Sequence, residues 1–121
     1  MLISTNEPVS EDALSAVAAI LERGEDADDV LREVVEALVA EPGVVWAGIA
    51  FVEDGSLVLG PESGVPAEER RGRTSIRYEG AAVGELLVDG DAEQEVLDRI
   101  AALVSPYVLI GWDTRGQTWA P

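Results

Sequence analysis

The side chains that this chain offers for chemistry are carboxylates, hydroxyls and guanidinium groups. Its 121 residues include 24 acidic residues and 8 basic ones, all of them arginine, and there is no Cys, His or Lys. Without Cys and His there is no thiolate nucleophile, no Ser-His-Asp triad and none of the usual ligands of zinc, copper or iron. Without Lys there is no phosphate-loop lysine and no Schiff base. We therefore expect no catalytic residue, no metal site and no bound cofactor.

A cluster of arginines is the first candidate binding site. Half of the basic residues lie within eight positions: Arg70, Arg71, Arg73 and Arg77. Guanidinium groups suit a phosphate or a carboxylate, so Arg73 and Arg77 are candidate ligand-binding residues for a small anion. The alternative is that the cluster neutralises nearby acids such as Glu68, Glu69 and Glu85.

Trp46 is the second candidate. Gly48 and Ala50 follow it on the same face of an apolar strand, where the three residues could line a shallow cleft in which a flat ligand stacks. The alternative is core packing or coverage by a second subunit. The acidic runs at residues 25–29 and 89–91 lack calcium-loop spacing and are typical of solvated helix N-termini.

The charge and the apolar pattern limit the partners of the chain. A formal net charge of -16 opposes binding to nucleic acid and to an anionic membrane surface. The longest apolar run, residues 44–52, is too short for a membrane helix of about 20 residues. The first ten residues lack the basic start of a signal peptide, so the sequence predicts a cytoplasmic protein.

The order of elements predicts one α+β domain over residues 1–121, with an N-terminal extension at 1–10 and a C-terminal tail at 113–121. Apolar spacing predicts helices from Ser10 to Glu22, ended by Gly24, and after the acidic run at 25–29, ended by Pro42 and Gly43. A buried strand at 44–52 turns at Asp54-Gly55 into a strand at 56–59 that Gly60-Pro61 closes, before a polar loop at 62–72.

A second hairpin and a long helix complete the pattern. Strands at 74–78 and 81–88 flank a two-residue turn at Glu79-Gly80, which predicts that Ile76 faces Val83 and Arg77 faces Ala82. A helix begins near residue 92, and Pro106 is expected to kink or end it.

These elements resemble a known family. The strand at 83–88, the acidic turn and the helix at 95–104 resemble the C-terminal part of GAF domains, and residues 31–59 resemble their N-terminal helix and first hairpin. The resemblance covers residues 30–112 and implies an antiparallel sheet of four to six strands, with N-terminal and C-terminal helices on one face and a ligand pocket on the other. The segment at 60–73 is shorter than the one that roofs the pocket in that family. The Lys of its cyclic-nucleotide signature and the cysteines of its free-methionine sulfoxide reductase branch are absent, so no functional residue is carried over.

The resemblance leaves three hypotheses for function. The first is a non-enzymatic signalling or regulatory domain that acts through protein-protein contact, as a homodimer or with another protein. The second is a small-molecule sensor with a reduced pocket on the sheet face, in which Trp46 and Arg77 contact the ligand. The third is an enzyme that has lost its cysteines or acts through carboxylates.

Self-association is expected because the strand at 44–52 is apolar on both faces and the helices can cover one of them. The seam could lie on that sheet face, with Trp46, Trp112 and Trp119 as anchors. It could instead follow the terminal helices, along residues of their apolar faces: Leu14, Val17, Leu21, Ile100 and Tyr107.

Overall fold

A computed structural model describes residues 11–23 and 26–117 of the chain. Three helices and four strands follow one another: α1 (Glu11–Glu22), α2 (Ala27–Val39), β1 (Val44–Glu53), β2 (Ser56–Gly64), β3 (Arg71–Tyr78), β4 (Ala81–Gly90) and α3 (Gln94–Gln117), with a short 3₁₀ turn (Glu68–Arg70) before β3. Ser10, Gly24 and Trp119, which the sequence analysis used as helix signals and as an anchor, lie outside the described residues, as does the 1–10 extension. The last helix continues to Gln117, within the segment assigned to the tail.

The four strands form one antiparallel sheet in the order β2-β1-β4-β3. The long central strands β1 and β4 are flanked by two edge strands. Helices α2 and α3 pack against the sheet, and α1 packs on those two helices. This confirms the predicted fold class, an α+β domain with an antiparallel sheet and terminal helices on one face.

The core lies between the helices and one face of the sheet. Strand residues of alternating positions, such as Ala47, Ile49 and Phe51, share a buried cluster with the apolar faces of the helices. Each fully buried aliphatic or aromatic side chain contributes about 1.5–3 kcal/mol to folding. A second, smaller cluster contains Trp46, Ala50 and Leu87 on the opposite face. The double-sided apolar pattern of β1 therefore arises from two separate clusters.

The two hairpin turns are confirmed. Asp54 and Gly55 have φ values of 51° and 80°, and Glu79 and Gly80 have 52° and 88°, which are the left-handed values of a type I′ turn. Arg77 pairs with Ala82 as expected, but the pairing of Ile76 with Val83 is wrong, because Ile76 pairs with Gly84. Val83 is an extra residue in β4 at this point, and such a bulge shifts the register by one position.

Strand β2 extends beyond the end that the sequence predicted. Gly60-Pro61 does not close it: the strand continues to Gly64, and pairing with β1 resumes at Glu62 opposite Gly48 after one extra residue in β2. Proline is tolerated here because β2 is an edge strand, whose outer N–H groups need no ladder partner. The extension places Glu62 beside β1, within a segment that was expected to be loop.

Helix α3 begins at Gln94 and not near residue 92, and of the two outcomes predicted at Pro106, a kink or an end, the end does not occur. A proline lacks the N–H that would bond the carbonyl four residues earlier, which here belongs to Ala102. The Ser105 hydroxyl donates a hydrogen bond of 3.0 Å to that carbonyl instead. The freed acceptor is thereby satisfied, and the helix passes through the proline. Within the part of the chain that the structure describes, no helix is long and apolar enough to cross a membrane.

Candidate functional site

A cleft of about 340 Å³ lies on the sheet face that carries the small apolar cluster. Its apolar walls come from β1, β2 and β4 and from the loop after β2: Trp46, Ala50, Leu57, Leu59, Pro66 and Leu87. Its charged lining comes mainly from the strands and the 3₁₀ turn: Glu62, Glu68, Arg71, Arg73 and Glu85. The segment between the hairpins, which was expected to be too short to roof a pocket, thus contributes part of one rim.

Trp46 forms part of the floor of the cleft, and its indole is held on several sides. An added Cβ at Gly48 would lie 2.6 Å from Cη2 of the ring, so glycine at this position lets the ring lie against β1. The indole Nε1–H donates a hydrogen bond of 2.9 Å to Oε1 of Glu62. Only 2% of the Trp46 surface is exposed, so its ring is not a free stacking surface for a flat ligand.

Arg71 covers the Trp46 ring and is itself fixed by a buried carboxylate. Its Cζ lies 4.4 Å from the ring centroid, within the range of a cation–π contact. Its Nε–H and Nη2–H donate to the two oxygens of Asp89 at 2.7 and 3.0 Å. The backbone N–H of Ala67 donates to the same carboxylate at 2.7 Å. One carboxylate therefore ties together β3, β4 and the loop that borders the cleft.

The electrostatics of this pair stabilise both charges. Burial of Asp89 disfavours its ionised form, but hydrogen bonds from the Arg71 side chain and the Ala67 N–H outweigh this effect and hold the pKa of Asp89 below its ordinary 3.8. The hydrogen bond to Asp89 likewise raises the pKa of Arg71 above its ordinary value. The pair is ionised at neutral pH, with the fixed guanidinium at the cleft.

A second pair of opposite charges lies farther out. Arg73 Nη1 is 3.6 Å from Oε1 of Glu85, and the two side chains are 57% and 17% exposed. Ion pairs of this kind in contact with water contribute little to stability, so Arg73 is able to exchange its partner. The cleft thus presents groups of both signs around apolar walls.

The structure brings two of the three predicted site residues together. Trp46 and Arg73 both line the cleft. Arg77 does not line it; the Arg77 Nη1–H group donates a hydrogen bond of 3.1 Å to the carbonyl of Gly80 at the tip of the second hairpin.

Sequence reasoning missed two important residues of the site. It treated Arg71 as one member of a cluster and Asp89 as the end of a strand. Their pairing depends on the register of β3 against β4, which places Arg71 opposite Asp89 and which no local sequence signal specifies. Among the residues that the structure describes, no group of three or more acidic side chains is arranged to hold a metal ion.

The fold and the cleft define a class of small α+β domains with an antiparallel sheet, helices on one face and an open cleft on the other. No family model matches the chain, and no curated protein sequence matches it either. Its similarities are to solved structures.

Those structures are methionine sulfoxide reductases. The fRMsr of Staphylococcus aureus, solved in complex with substrate and in its reduced form, superposes with a TM-score of 0.67 at 16% identity over 88% of this chain and 99% of that one. The type II free methionine-R-sulfoxide reductase of Thermoplasma acidophilum superposes with a TM-score of 0.52 at 18% identity over 69% of this chain and 95% of that one. At these identities the likeness shows a shared fold.

The comparisons correct three expectations. Identification as a GAF domain is not upheld, since no family model matches and the neighbours are fRMsr structures with a GAF-like fold. A non-enzymatic signalling or regulatory role, with a sensor as its alternative, is contradicted by neighbours that reduce free methionine-R-sulfoxide. The expectation that the chain is not an enzyme is contradicted by the same finding. The sequence analysis carried no reductase residue over to this chain because the cysteines of that branch are absent.

Proposed function

We propose that this chain is an enzyme that acts on a small free amino acid in the cleft beside Trp46, and that methionine sulfoxide is its substrate. The observation that carries the proposal is the cleft itself, with apolar walls and charges of both signs on the sheet face opposite the helices. The fold shared with free methionine-R-sulfoxide reductases supports the choice of substrate.

The size of the cleft favours a ligand as small as an amino acid. Ligand pockets in proteins range from about 300 to 1,000 Å³, and this cleft of about 340 Å³ lies at the lower end of that range. The apolar side chains of Leu57, Leu59 and Leu87 suit an unbranched thioether chain. A ligand of that size needs less cover than a larger ligand does.

The charges favour a zwitterion over a simple anion. Two guanidinium groups line the cleft, but so do three carboxylates, and the whole chain carries a net charge of -16. A bare anion would be repelled by that field, whereas an amino acid brings an ammonium group for the carboxylates as well as a carboxylate for an arginine.

The reaction needs an external reductant, because the chain contains no cysteine. We propose that a small thiol outside the protein supplies the electrons. Two thiols reduce one sulfoxide: a thiolate attacks the sulfoxide sulfur, the oxygen leaves as water after taking up two protons, and a second thiol completes a disulfide and releases the thioether. The role of the protein is to hold the sulfoxide and to supply a proton to its oxygen.

Glu85 is the candidate for proton transfer: its carboxylate takes the proton of the attacking thiol and passes it to the sulfoxide oxygen. Carboxylates are the groups of the cleft able to transfer a proton, and the Glu85 side chain lies on the central strand β4 with 17% of its surface exposed. By comparison, Glu62 is held by the Trp46 indole at 2.9 Å. The Glu85 side chain is therefore largely buried and still lines the cleft.

The test is the formation of free methionine from each epimer of L-methionine sulfoxide in the presence of dithiothreitol. The wild-type chain should accelerate the reaction above the rate with dithiothreitol alone, and Glu85→Gln should lower kcat by about 100-fold, as expected for loss of a general acid. Glu79→Gln, at the tip of the second hairpin, is the matched control and should leave the rate unchanged. A wild-type rate equal to that of the thiol alone would contradict the proposal.

The dependence on external thiol also bears on location. The cytoplasm keeps small thiols reduced, and we propose that the chain acts there. This extends the finding that none of its described helices could cross a membrane.

A further inference from the structure

Arg71 presents unused hydrogen-bond donors to the cleft. A guanidinium group has five N–H donors, and Asp89 accepts from the Nε–H and from one Nη2–H of Arg71. The other N–H groups, on Nη1 and Nη2, donate to no residue that the structure describes. The side chain keeps 15% of its surface exposed, and it lines the cleft.

We propose that Arg71 is the residue that binds the α-carboxylate of the ligand, which makes the chain specific for amino acids with a free carboxyl group. This inference rests on the proposed function, because it assigns Arg71 a role in the same cleft. It adds a recognition residue that was not among the predicted site residues, which were Trp46, Arg73 and Arg77.

Arg71 fits this role better than Arg73 because its guanidinium is already fixed. Asp89 holds one edge of the group, and the Trp46 ring lies 4.4 Å below its Cζ. A side chain that is ordered before binding loses little conformational entropy when the ligand arrives. Arg73, by contrast, is 57% exposed and reaches Glu85 at 3.6 Å, so it must be ordered on binding.

The geometry of the Asp89 pair leaves a suitable binding edge. Because Asp89 occupies the Nε edge, the remaining donors lie on the terminal Nη1 and Nη2 atoms, and two such N–H groups can hold both oxygens of a carboxylate. Asp89 partly neutralises the guanidinium of Arg71. The attraction of Arg71 for an anionic ligand is therefore short-ranged and depends on hydrogen bonding. That favours a planar carboxylate over a distant or diffuse anion.

The test uses a pair of ligands that differ at the carboxyl group and carry no sulfoxide. L-norleucine and L-norleucinamide are titrated calorimetrically into the native chain at the same ionic strength. Norleucine should bind at least about 10-fold more tightly, the effect of a hydrogen bond between charged groups. The acidic chain attracts the cationic amide more strongly, so this field works against the expected preference and does not create it.

The variant that removes the anchor also removes its buried partner. Arg71→Met combined with Asp89→Leu avoids leaving an unpaired charge in the protein, and replacing both members of such a pair is often neutral for folding. In this double variant the preference for norleucine should fall to about 1-fold. Arg73→Met, the matched control, should retain it.

A measurement on the unaltered chain complements the variants. The arginine Nε–Hε signals in a ¹H–¹⁵N spectrum should show one signal, that of Arg71, shifting on addition of norleucine and not on addition of the amide. Assignment follows from the signal that disappears in the double variant.

The outcomes separate this inference from the proposed function. Equal binding of both ligands, no binding of either at millimolar concentration, or a preference lost in Arg73→Met and kept in the double variant would each overturn the role of Arg71. A preference that depends on Arg71 in a chain that fails to reduce methionine sulfoxide would support the carboxylate site and overturn the proposed reaction.

Discussion

At the scale of single residues, the site depends on an arginine that is charged, fixed and partly covered. Trp46 supplies a flat surface because Gly48 leaves room for its ring, and Asp89 fixes the guanidinium of Arg71 above that surface. An arginine held in this way combines permanent charge with a defined direction for its donors. The positions of Trp46 and Arg71 therefore depend on contacts with Gly48 and Asp89.

Asp89→Asn tests the central pair. The amide leaves the guanidinium without its charged partner and weakens the bond from the Ala67 N–H, so the free energy of unfolding should fall by about 3 kcal/mol. Urea unfolding at neutral pH measures it. Asp91→Asn is the control: Asp91 pairs with Arg70 at 3.0 Å, but the two side chains are 62% and 45% exposed, so the loss should be below about 1 kcal/mol.

The same substitution should change the pH dependence of stability. The pKa of Asp89 is lowered in the folded state, so its contribution is present above the ordinary value of 3.8 and is lost as the pH falls through the lower, folded-state pKa. The wild-type chain should therefore lose more stability below about pH 4 than Asp89→Asn does. Equal acid sensitivity of the two proteins would contradict this assignment.

Several residues of the site could be predicted from the sequence, but the contacts of Arg71 could not. The types of residue were predictable, since the composition leaves carboxylates and guanidinium groups. Trp46 was identified from its strand position and Arg73 from the arginine cluster. The partners of Arg71 were not, because they depend on the register of β3 against β4 and on the path of β2 after Pro61. Such long-range pairings leave no local signal in the sequence.

At the scale of elements, prolines and bulges account for the places where the structure differs from the sequence prediction. Turn residues define both hairpins well, because Asp54-Gly55 and Glu79-Gly80 require left-handed backbone angles that few other sequences adopt. Proline predicted an end for β2 and a kink or an end for α3, and neither element ends there. In each case the missing N–H has a local remedy: an outer edge in β2, and the Ser105 hydroxyl in α3.

A double-mutant cycle tests the remedy in α3. Ser105→Ala removes the hydrogen bond to the Ala102 carbonyl and should cost about 1 kcal/mol in the native background. In a Pro106→Ala background the restored N–H bonds that carbonyl, so the same substitution should cost almost nothing. Thermal or urea unfolding of the four proteins gives the coupling. Equal losses of stability in both backgrounds would show that the Ser105 hydroxyl does not replace the N–H that Pro106 lacks.

At the scale of the whole molecule, the distribution of apolar surface bears on self-association. The predicted seam along the terminal helices includes Val17 and Ile100, which are fully buried within the chain itself. Exposed apolar side chains lie on β2 and just after it, with Leu57 at 50%, Leu59 at 47% and Val65 at 75%, and also on α3, where Ile110 is 52% exposed. Trp46 is buried and cannot serve as an anchor for a partner.

We predict that two copies associate through the β2 edge. Sedimentation equilibrium at several micromolar concentrations should show a dimer, since symmetric dimers are the commonest assemblies and Leu57, Leu59 and Val65 expose apolar side chains along this edge. Val65→Glu should weaken the dimer at least about 10-fold, because it places a charge in an apolar contact. A wild-type chain that remains monomeric would contradict the prediction.

The most direct test of the central claim is to map a bound ligand on the folded chain. Because we propose that the cleft beside Trp46 is the site, a titration with L-methionine sulfoxide, followed by ¹H–¹⁵N spectra, should shift the amides of Arg71, Glu85 and Leu87 and the indole N–H of Trp46. Signals from the helical core, such as Val34 and Ile100, should stay in place. Shifts confined to residues outside the cleft, or none at saturating ligand, would contradict it.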